Sequence, residues 1–314
     1  TFSFFKQADQ TSLGVDIGSS SIKVVQLRKE KERAMLQTYG ELALSGYAKG
    51  EDGRAIVMVD DRLKEALTDV LRESQVKASK AIVSIPLKNS FVTTMAMPEL
   101  APSEMKDAIT YEARKYIPIP IAETTIDWWV LPPQAPSTTE QEHAFSDATR
   151  RHTTNVLLVA VPNDIINKYK SIFDGVGLKI EAFEIESFAL ARSAIRQEAG
   201  AVMIIDLGAS TTKLSMVEAG VVRAAHSVDQ GSWRLTQALQ QSLGIDFDRA
   251  EMMKRECGVI HRPETQGAVS VIEPILESLL SEGDRFILDW KRKGARSLSK
   301  VVIAGGGSLL RGAD

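Results

Sequence analysis

Asp16-Ile17-Gly18-Ser19-Ser20-Ser21-Ile22-Lys23 and Asp206-Leu207-Gly208-Ala209-Ser210-Thr211-Thr212-Lys213 are one motif written twice, 190 residues apart. Each copy follows an apolar run, Leu13 to Val15 or Ala201 to Leu207, and leads into another, Ile22 to Leu27 or Lys213 to Val217. Both read as two strands joined by a glycine turn. Asp, Gly, Ser and Lys recur in register. Glycine at positive φ would expose successive backbone N–H groups as an anion-binding concavity. Hydroxyls add neutral donors, and an aspartate at a strand end can hold hydrated Mg²⁺ against phosphate oxygens. Two such loops could grip a polyphosphate from both sides. Two ordinary hairpins with Gly/Ser-rich turns would explain the glycines, but not the repeated aspartate and lysine.

Outward from the motif, short apolar runs alternate with amphipathic helices, the pattern of a mixed α/β protein. Helices are expected at Asp61 to Glu73, from Pro102 with Met105, Ala108, Ile109, Glu112 and Tyr116 on one face, at Ser187 to Glu198, at Ser232 to Leu243, near Arg249 to Cys257, and at about Val269 to Trp290. Asn163 is expected to cap a further helix, facing Ile165, Ile166, Tyr169, Ile172 and Phe173 inward. Strands are expected at Ala81 to Ile85, Phe91 to Met97, Thr125 to Leu131, Asn155 to Val161 and Leu178 to Ile185. A mobile hairpin loop is expected at Pro132 to Thr154. Val301 to Ala304 reads as a buried strand running into Gly305-Gly306-Gly307, whose glycines allow flat ligand surface to approach the backbone.

The 314 residues suggest about two domains. Apolar residues at 44% and charged ones at 25% exclude disordered, collagenous and coiled-coil chains. With 38 basic and 41 acidic side chains, net −3, bulk charge does not support nucleic-acid binding. Cys257 stands alone, so no internal disulfide forms, which fits a reducing, cytoplasmic compartment. No apolar run approaches a membrane span, and Phe2-Ser3-Phe4-Phe5-Lys6 is too short for a secretory signal. Those phenylalanines could dock on a partner or on the first domain. His143, His152, His226 and His261 show no metal-ligand spacing, and no G-x-S-x-G elbow is present. Lys291-Arg292-Lys293 with Arg296 reads as a solvated helix end, or else a membrane-facing one.

Two phosphate-type hairpins followed by a late glycine loop resemble the actin, Hsp70 and sugar kinase superfamily, with its ribonuclease H-like, two-lobed fold. That resemblance implies ATP and Mg²⁺ as ligands. It sets Asp16 and Asp206 near the metal, and Gly18, Ser19, Ser20, Lys23, Gly208, Ser210, Thr211 and Lys213 at phosphates. Gly231, Glu251 and Lys254 of Ala250-Glu251-Met252-Met253-Lys254, and Gly305, Gly306 and Gly307, would meet the nucleoside. Taken alone, Glu251 and Lys254 read as a solvated helical pair. Glu186 of Glu186-Ser187-Phe188-Ala189 resembles the interdomain connector acid and is the catalytic candidate. Ser187 replaces the usual proline, so slow hydrolysis at most is expected.

Met97-Pro98-Glu99-Leu100 and Tyr111-Glu112-Ala113-Arg114-Lys115-Tyr116-Ile117-Pro118-Ile119-Pro120 resemble the type IV pilus assembly protein PilM family, as does the opening Leu13 to Val25. This implies a first lobe at 1–80 and 163–199, an inserted subdomain at 81–162 and a second lobe at 200–314, without the family's C-terminal closing helix. Thr1 in place of Met adds to the expectation of an incomplete chain. It also implies a cytoplasmic ATP-binding scaffold, reaching the inner membrane only through partners and able to self-associate into a ring, with nucleotide state setting lobe closure. The expected partner is the N-terminal tail of the inner-membrane protein PilN, in a groove between the first subdomain and the extra one. Phe91, Tyr116, Ile117, Pro118 and Ile119 are expected in that groove, unless they pack the subdomain's own core. The rival readings are an FtsA-like division filament, a small-molecule kinase and the cytoplasmic domain of a GspL-like secretion protein.

Overall fold

The computed structural model describes residues 11–31, 33–48, 58–132, 153–195, 198, 200–292 and 297–313. The expectations for Phe2, Phe4, Phe5, His143, His152, Lys293, Arg296 and most of the 132–154 loop lie outside these residues. Contacts divide the chain into two compact units, one of Thr1–Ile85 with Asn167–Glu186, the other of Pro86–Ile166 with Ser187–Asp314.

The first unit is a five-stranded sheet of order β3-β2-β1-β4-β8. Strands β1 (Thr11–Ile17), β2 (Ser21–Glu30) and β3 (Arg33–Ala43) form an antiparallel meander. Strands β4 (Lys80–Ile85) and β8 (Lys179–Ile185) lie parallel to β1. Leu13, Val15 and Ile17 alternate inward along β1, leaving Gly14 and Asp16 on the other face. A single turn, α1 (Ser45–Ala48), precedes α2 (Asp60–Glu73), which buries Leu63, Ala66, Leu67 and Val70, the one-sided stripe its spacing predicts. Two of this unit's described polar side chains are buried, Ser21 and Gln26, and the Gln26 amide, 4% exposed, accepts from the N–H groups of Lys77 and Ala78. All its burial is hydrogen-bonded, so it costs little.

The second unit repeats the meander. Strands β9 (Ala201–Leu207), β10 (Thr212–Glu218), β11 (Val221–Val228) and β12 (Leu298–Ala304) form a sheet of order β11-β10-β9-β12, with β12 parallel to β9. The bounds of β9 are those of β1 shifted by the repeat distance. Helices α6 (Ser232–Leu243), α7 (Phe247–Cys257) and α8 (Gln266–Arg292) pack through Leu235, Leu239, Ala250, Ala268 and Ile272. Asp246 caps α7, its carboxylate accepting from the Arg249 N–H at 2.8 Å. Strands β5 (Phe91–Pro98), β7 (Thr153–Pro162) and β6 (Thr124–Val130) make a separate antiparallel sheet. Helix α3 (Pro102–Ala113) covers it, burying Ile109 and Ala113 against Met95, Met97, Val156 and Leu158. Helices α4 (Asn163–Gly175) and α5 (Glu186–Ala194) precede and follow β8.

Several expectations need adjustment. The boundary at 81 falls inside β4, which pairs with β1 and β8, so the inserted sheet begins after Ile85. Ala191 and Ile195 of the α5 region pack on Val202 and Ile204 of the second sheet. The face expected to run to Tyr116 stops with α3 at Ala113, and Tyr116 is exposed. Asn163 spends its side chain on Thr125 and the Ala122 carbonyl. The strand expected to be buried, β12, pairs among the described residues only with β9 and leaves Val301 and Ile303 exposed. Strands β3 and β11 had no sequence expectation at all.

Candidate functional site

In the first unit the Gly18 N–H donates to the Ser21 carbonyl at 3.0 Å, closing the β1–β2 turn. Gly18 is not at positive φ. Glycine relieves a tight approach, since a Cβ would sit 3.1 Å from the Ser21 carbonyl oxygen. The side chains form one cross-strand row, since Asp16 faces Lys23 and Lys23 faces Glu41. Lys23 leans to the far side of this row, 3.1 Å from Glu41 and 2.8 Å from the Ser21 hydroxyl. Burial works against the Glu41 charge, but hydrogen bonds from Ser21 and Lys23 outweigh it and hold the carboxyl below its usual range. Asp16 and Glu186 converge electrostatically on Tyr169, whose phenol is pushed up mainly by burial and then by these two carboxylates.

The second hairpin keeps the plan and changes the details. The Gly208 N–H donates to the Thr211 carbonyl at 3.1 Å, and a Cβ here would meet that oxygen at 2.9 Å. Gly208 also lies outside positive φ, so in both turns close approach, not handedness, favours glycine. Asp206 faces Lys213 across the strands, and the two are ion-paired at 3.2 Å with little exposure. Gly231 is pressed on this loop, where a Cβ would lie 2.7 Å from the Gly208 oxygen. The next two N–H groups, of Ser232 and Trp233 at the start of α6, donate to the Gly208 and Ala209 carbonyls at 2.9 and 3.0 Å. Gly305, at φ 80°, brings the third loop against Asp206 and Leu207, and Gly307 packs on the Leu207 side chain. Only Gly306 of the three faces open space. These glycines therefore assemble the loops onto one another before any ligand is considered.

Glu251 and Lys254 are not a solvated pair. Each is 6% exposed, and their charged atoms meet at 2.6 Å. Thr236 donates to Glu251 at 2.6 Å, Lys254 donates to Thr236 at 2.9 Å, and Arg255 donates to the other Glu251 oxygen at 2.8 Å. Lys254 also approaches the Ser232 carbonyl at 3.5 Å, so the cluster ties α7 to the start of α6 and hence to the second hairpin. Burial raises the Glu251 carboxyl, yet Lys254 and the three hydrogen bonds carry it below its usual range. Burial lowers Lys254, partly offset by Glu251.

The donor chemistry fits a magnesium-bound polyphosphate. Each hairpin offers one carboxylate, a lysine and turn hydroxyls, hard oxygen and cationic groups of the kind Mg²⁺ and phosphate take. No cluster of three or more acidic, His or Cys residues that could hold a metal occurs among the described residues. Magnesium here would be carried largely by ligand oxygens and water, with Asp16 or Asp206 beside it.

A second feature is a hollow of about 300 Å³ within the second unit. Its walls include Lys88 and Ser90, Phe91 to Thr93 of β5, Tyr116 and Ile117 after α3, and Ala225 to Ser227 of β11. Of the expected groove residues, Phe91, Tyr116 and Ile117 are in these walls. Ile117 is 6% exposed in the subdomain core and Ile119 packs against that core, while Pro118 is exposed. The stretch thus serves both packing and lining. Sequence reasoning missed Thr236, His226 and Ser227. Extending the repeat past Lys213 would have found β11 and so the last two.

Two sheets that share the order third-second-first-fourth strand, each with an aspartate–glycine hairpin between its first two strands, define an actin-like, ribonuclease H-like α/β protein. The structure of a PilM–PilN type IV pilus biogenesis complex matches with TM-score 0.76 at 21% identity, over 96% of this chain and 83% of that one. The ethanolamine utilization protein EutJ of Carboxydothermus hydrogenoformans matches with TM-score 0.51 at 15% identity, over 96% and 78%. The chain belongs to the type IV pilus assembly protein PilM family, whose sequence profile matches residues 14–314. No helix among the described residues is long and apolar enough to cross a membrane.

Proposed function

We propose that this chain is an ATP-binding scaffold of the type IV pilus assembly machinery that binds the N-terminal cytoplasmic tail of a PilN-like inner-membrane protein. The observation that carries the reading is the family match over residues 14–314. Support for the ligand comes from the two hairpins, whose Asp16, Lys23, Asp206 and Lys213 recur at the same cross-strand positions. Ser19, Ser20, Ser210 and Thr211 are the hydroxyl donors and Gly306 the nucleoside side, while Glu251 and Lys254, buried and paired with each other, hold α7 against the start of α6. Bound magnesium would neutralise phosphate charge. Glu186 is the residue to orient a water, and turnover is slow at most. The hollow at Phe91, Tyr116 and Ile117 is the seat for the tail, its mixed apolar and polar walls and strand edges suiting an extended peptide. The protein works in the cytoplasm, at the membrane through its partner, and can associate into a ring. Calorimetric titration with a PilN-like tail peptide, with and without ATP·Mg²⁺, tests this. Saturable binding of both ligands is expected, and failure of both to bind would reject the reading.

A further inference from the structure

We propose that the nucleotide site selects for the magnesium-bound triphosphate and not for the nucleoside, so that ATP, its 2′-deoxy form and GTP bind nearly alike. The inference rests on the reading above and widens its ligand from ATP to magnesium-bound nucleoside triphosphates as a class. Helix α7 is fastened on two sides. Lys254 reaches the Ser232 carbonyl at the start of α6, while Leu310, just past the third loop, packs with Ala250, and the Val259 N–H donates to the Arg311 carbonyl at 2.8 Å. Side chains of α7 and of the third loop are therefore in place to read a sugar or a base.

A site that discriminates by hydrogen bonding holds a donor or acceptor that is left unpaired when the wrong ligand enters. The pair that the sequence sets toward the nucleoside is not in that state. The Lys254 ammonium donates to Glu251 at 2.6 Å, to Thr236 at 2.9 Å and to the Ser232 carbonyl at 3.5 Å, which engages all its protons. Glu251 accepts from Thr236 and Lys254 on one oxygen and from Arg255 on the other. Both residues are 6% exposed, so a ligand hydroxyl meets neither. In the third loop the Ser308 hydroxyl turns back onto the Gly305 carbonyl at 2.7 Å. Trp233 keeps an unpaired indole N–H, but that atom is sealed from solvent and hence from a ligand. Arg255 is the exposed member of the cluster, and a solvated guanidinium attracts the triphosphate that all these nucleotides carry.

What the third loop does present is apolar. Gly306–Leu309 is a single 3₁₀ turn, in which residues three apart lie on the same side. A Cβ at Gly306 would meet open space, and Leu309 beside it is 83% exposed, more than any other large apolar side chain described. Bare backbone next to an aliphatic side chain touches the flat face of a base through dispersion and burial. Those forces have no direction and do not tell adenine from guanine. The phosphate turns differ. Ser19, Ser20 and Ser210 are half-buried, and their hydroxyls make no hydrogen bond among the described residues, so they remain for a ligand's oxygens. Directional recognition thus lies at the end that all nucleoside triphosphates share.

The test is calorimetric titration of the full chain with the magnesium complexes of ATP, dATP, GTP and inorganic tripolyphosphate. The Kd values of the three nucleotides should agree within about fivefold, because a hydrogen bond from a charged residue to sugar or base is worth about tenfold or more. Glu251→Leu with Lys254→Met, which removes both charges, should keep ATP affinity inside the same window. Leu309→Ser should weaken all three nucleotides by a common factor of about five and leave tripolyphosphate unchanged. Three results overturn the inference and leave ATP binding standing. They are dATP or GTP more than about fivefold weaker than ATP, a double variant that melts cooperatively yet loses ATP beyond that window, and a Leu309→Ser loss that is absent or confined to ATP. If no nucleotide binds, the wider reading fails and this one with it.

Discussion

Replacing Glu251 by alanine strips the buried cluster between α6 and α7 of its only carboxylate. Lys254, 6% exposed, would keep Thr236 at 2.9 Å and the Ser232 carbonyl at 3.5 Å, but lose its counter-charge. Breaking a buried ion pair on one side costs about 3–5 kcal/mol, and the two remaining acceptors set the expected loss near the lower bound, about 3 kcal/mol. At about 2–4 °C per kcal/mol for a unit of this size, the melting temperature falls by about 9 °C. The chain's four tryptophans, Trp128, Trp129, Trp233 and Trp290, all lie in the second unit, so their fluorescence follows that unit alone. Glu251→Gln should lose about half as much, because the amide oxygen still accepts from Thr236. The double change Glu251→Leu with Lys254→Met should recover most of the loss, since paired apolar replacements remove both desolvation costs. The sign with pH follows from the lowered Glu251 pKa. Its contribution is complete above the ordinary 4.5 and disappears as pH falls through the lower folded value, so wild type and Glu251→Ala converge in acid. A melting temperature of Glu251→Ala within about 2 °C of wild type, or a double variant no better than the single, would refute the reasoning.

Gly231→Ala should push Ala209 and Gly208 away from α6, because a Cβ would lie 2.6 Å from the Ala209 carbonyl carbon. ATP·Mg²⁺ affinity measured by calorimetry should then drop at least about tenfold, and unchanged affinity would remove Gly231 from the site. Asp16→Ala should weaken ATP·Mg²⁺ binding while the melting temperature stays put, because Lys23 already has Glu41 and Ser21 as partners. Tyr116→Ala and Ile117→Ala should separate the two uses of their segment. The first, at an exposed wall residue, weakens tail-peptide binding without loss of stability, while the second costs about 2–4 kcal/mol in unfolding experiments.

Much of this was legible because it is local. Turn residues and apolar spacing reveal hairpins and helices directly, so the two motifs, α2, α6 and the α7 acid–lysine spacing could all be read along the chain. The third strand of each meander could not. Strand β3 is an edge strand with no fully buried residue, and its half-buried positions Thr38, Gly40 and Leu42 include only one large apolar side chain, so the sequence carries no apolar alternation to detect. Strand β11 hides in the opposite way, because its buried set includes Arg223, paired with Glu218 and donating to the Pro132 carbonyl at 3.0 Å. A charged residue in the core reads as surface until its partners are known.

The glycines show the same division. Sequence alone singled out Gly18, Gly208, Gly231 and Gly305, and of the four only Gly305 is at positive φ. Gly18 and Gly208 are small because a carbonyl of their own turn lies close to where a Cβ would go, and Gly231 because the distant Gly208–Ala209 backbone does. Likewise the spacing of Glu251 and Lys254 fixed a pair on one helix face, but Thr236, from another helix, decided that the pair is buried and satisfied. Chain order settles which residues are neighbours within a turn or a helix face. Strand register and helix docking settle which face one another across the core, and those relations exist only once the whole sheet has formed.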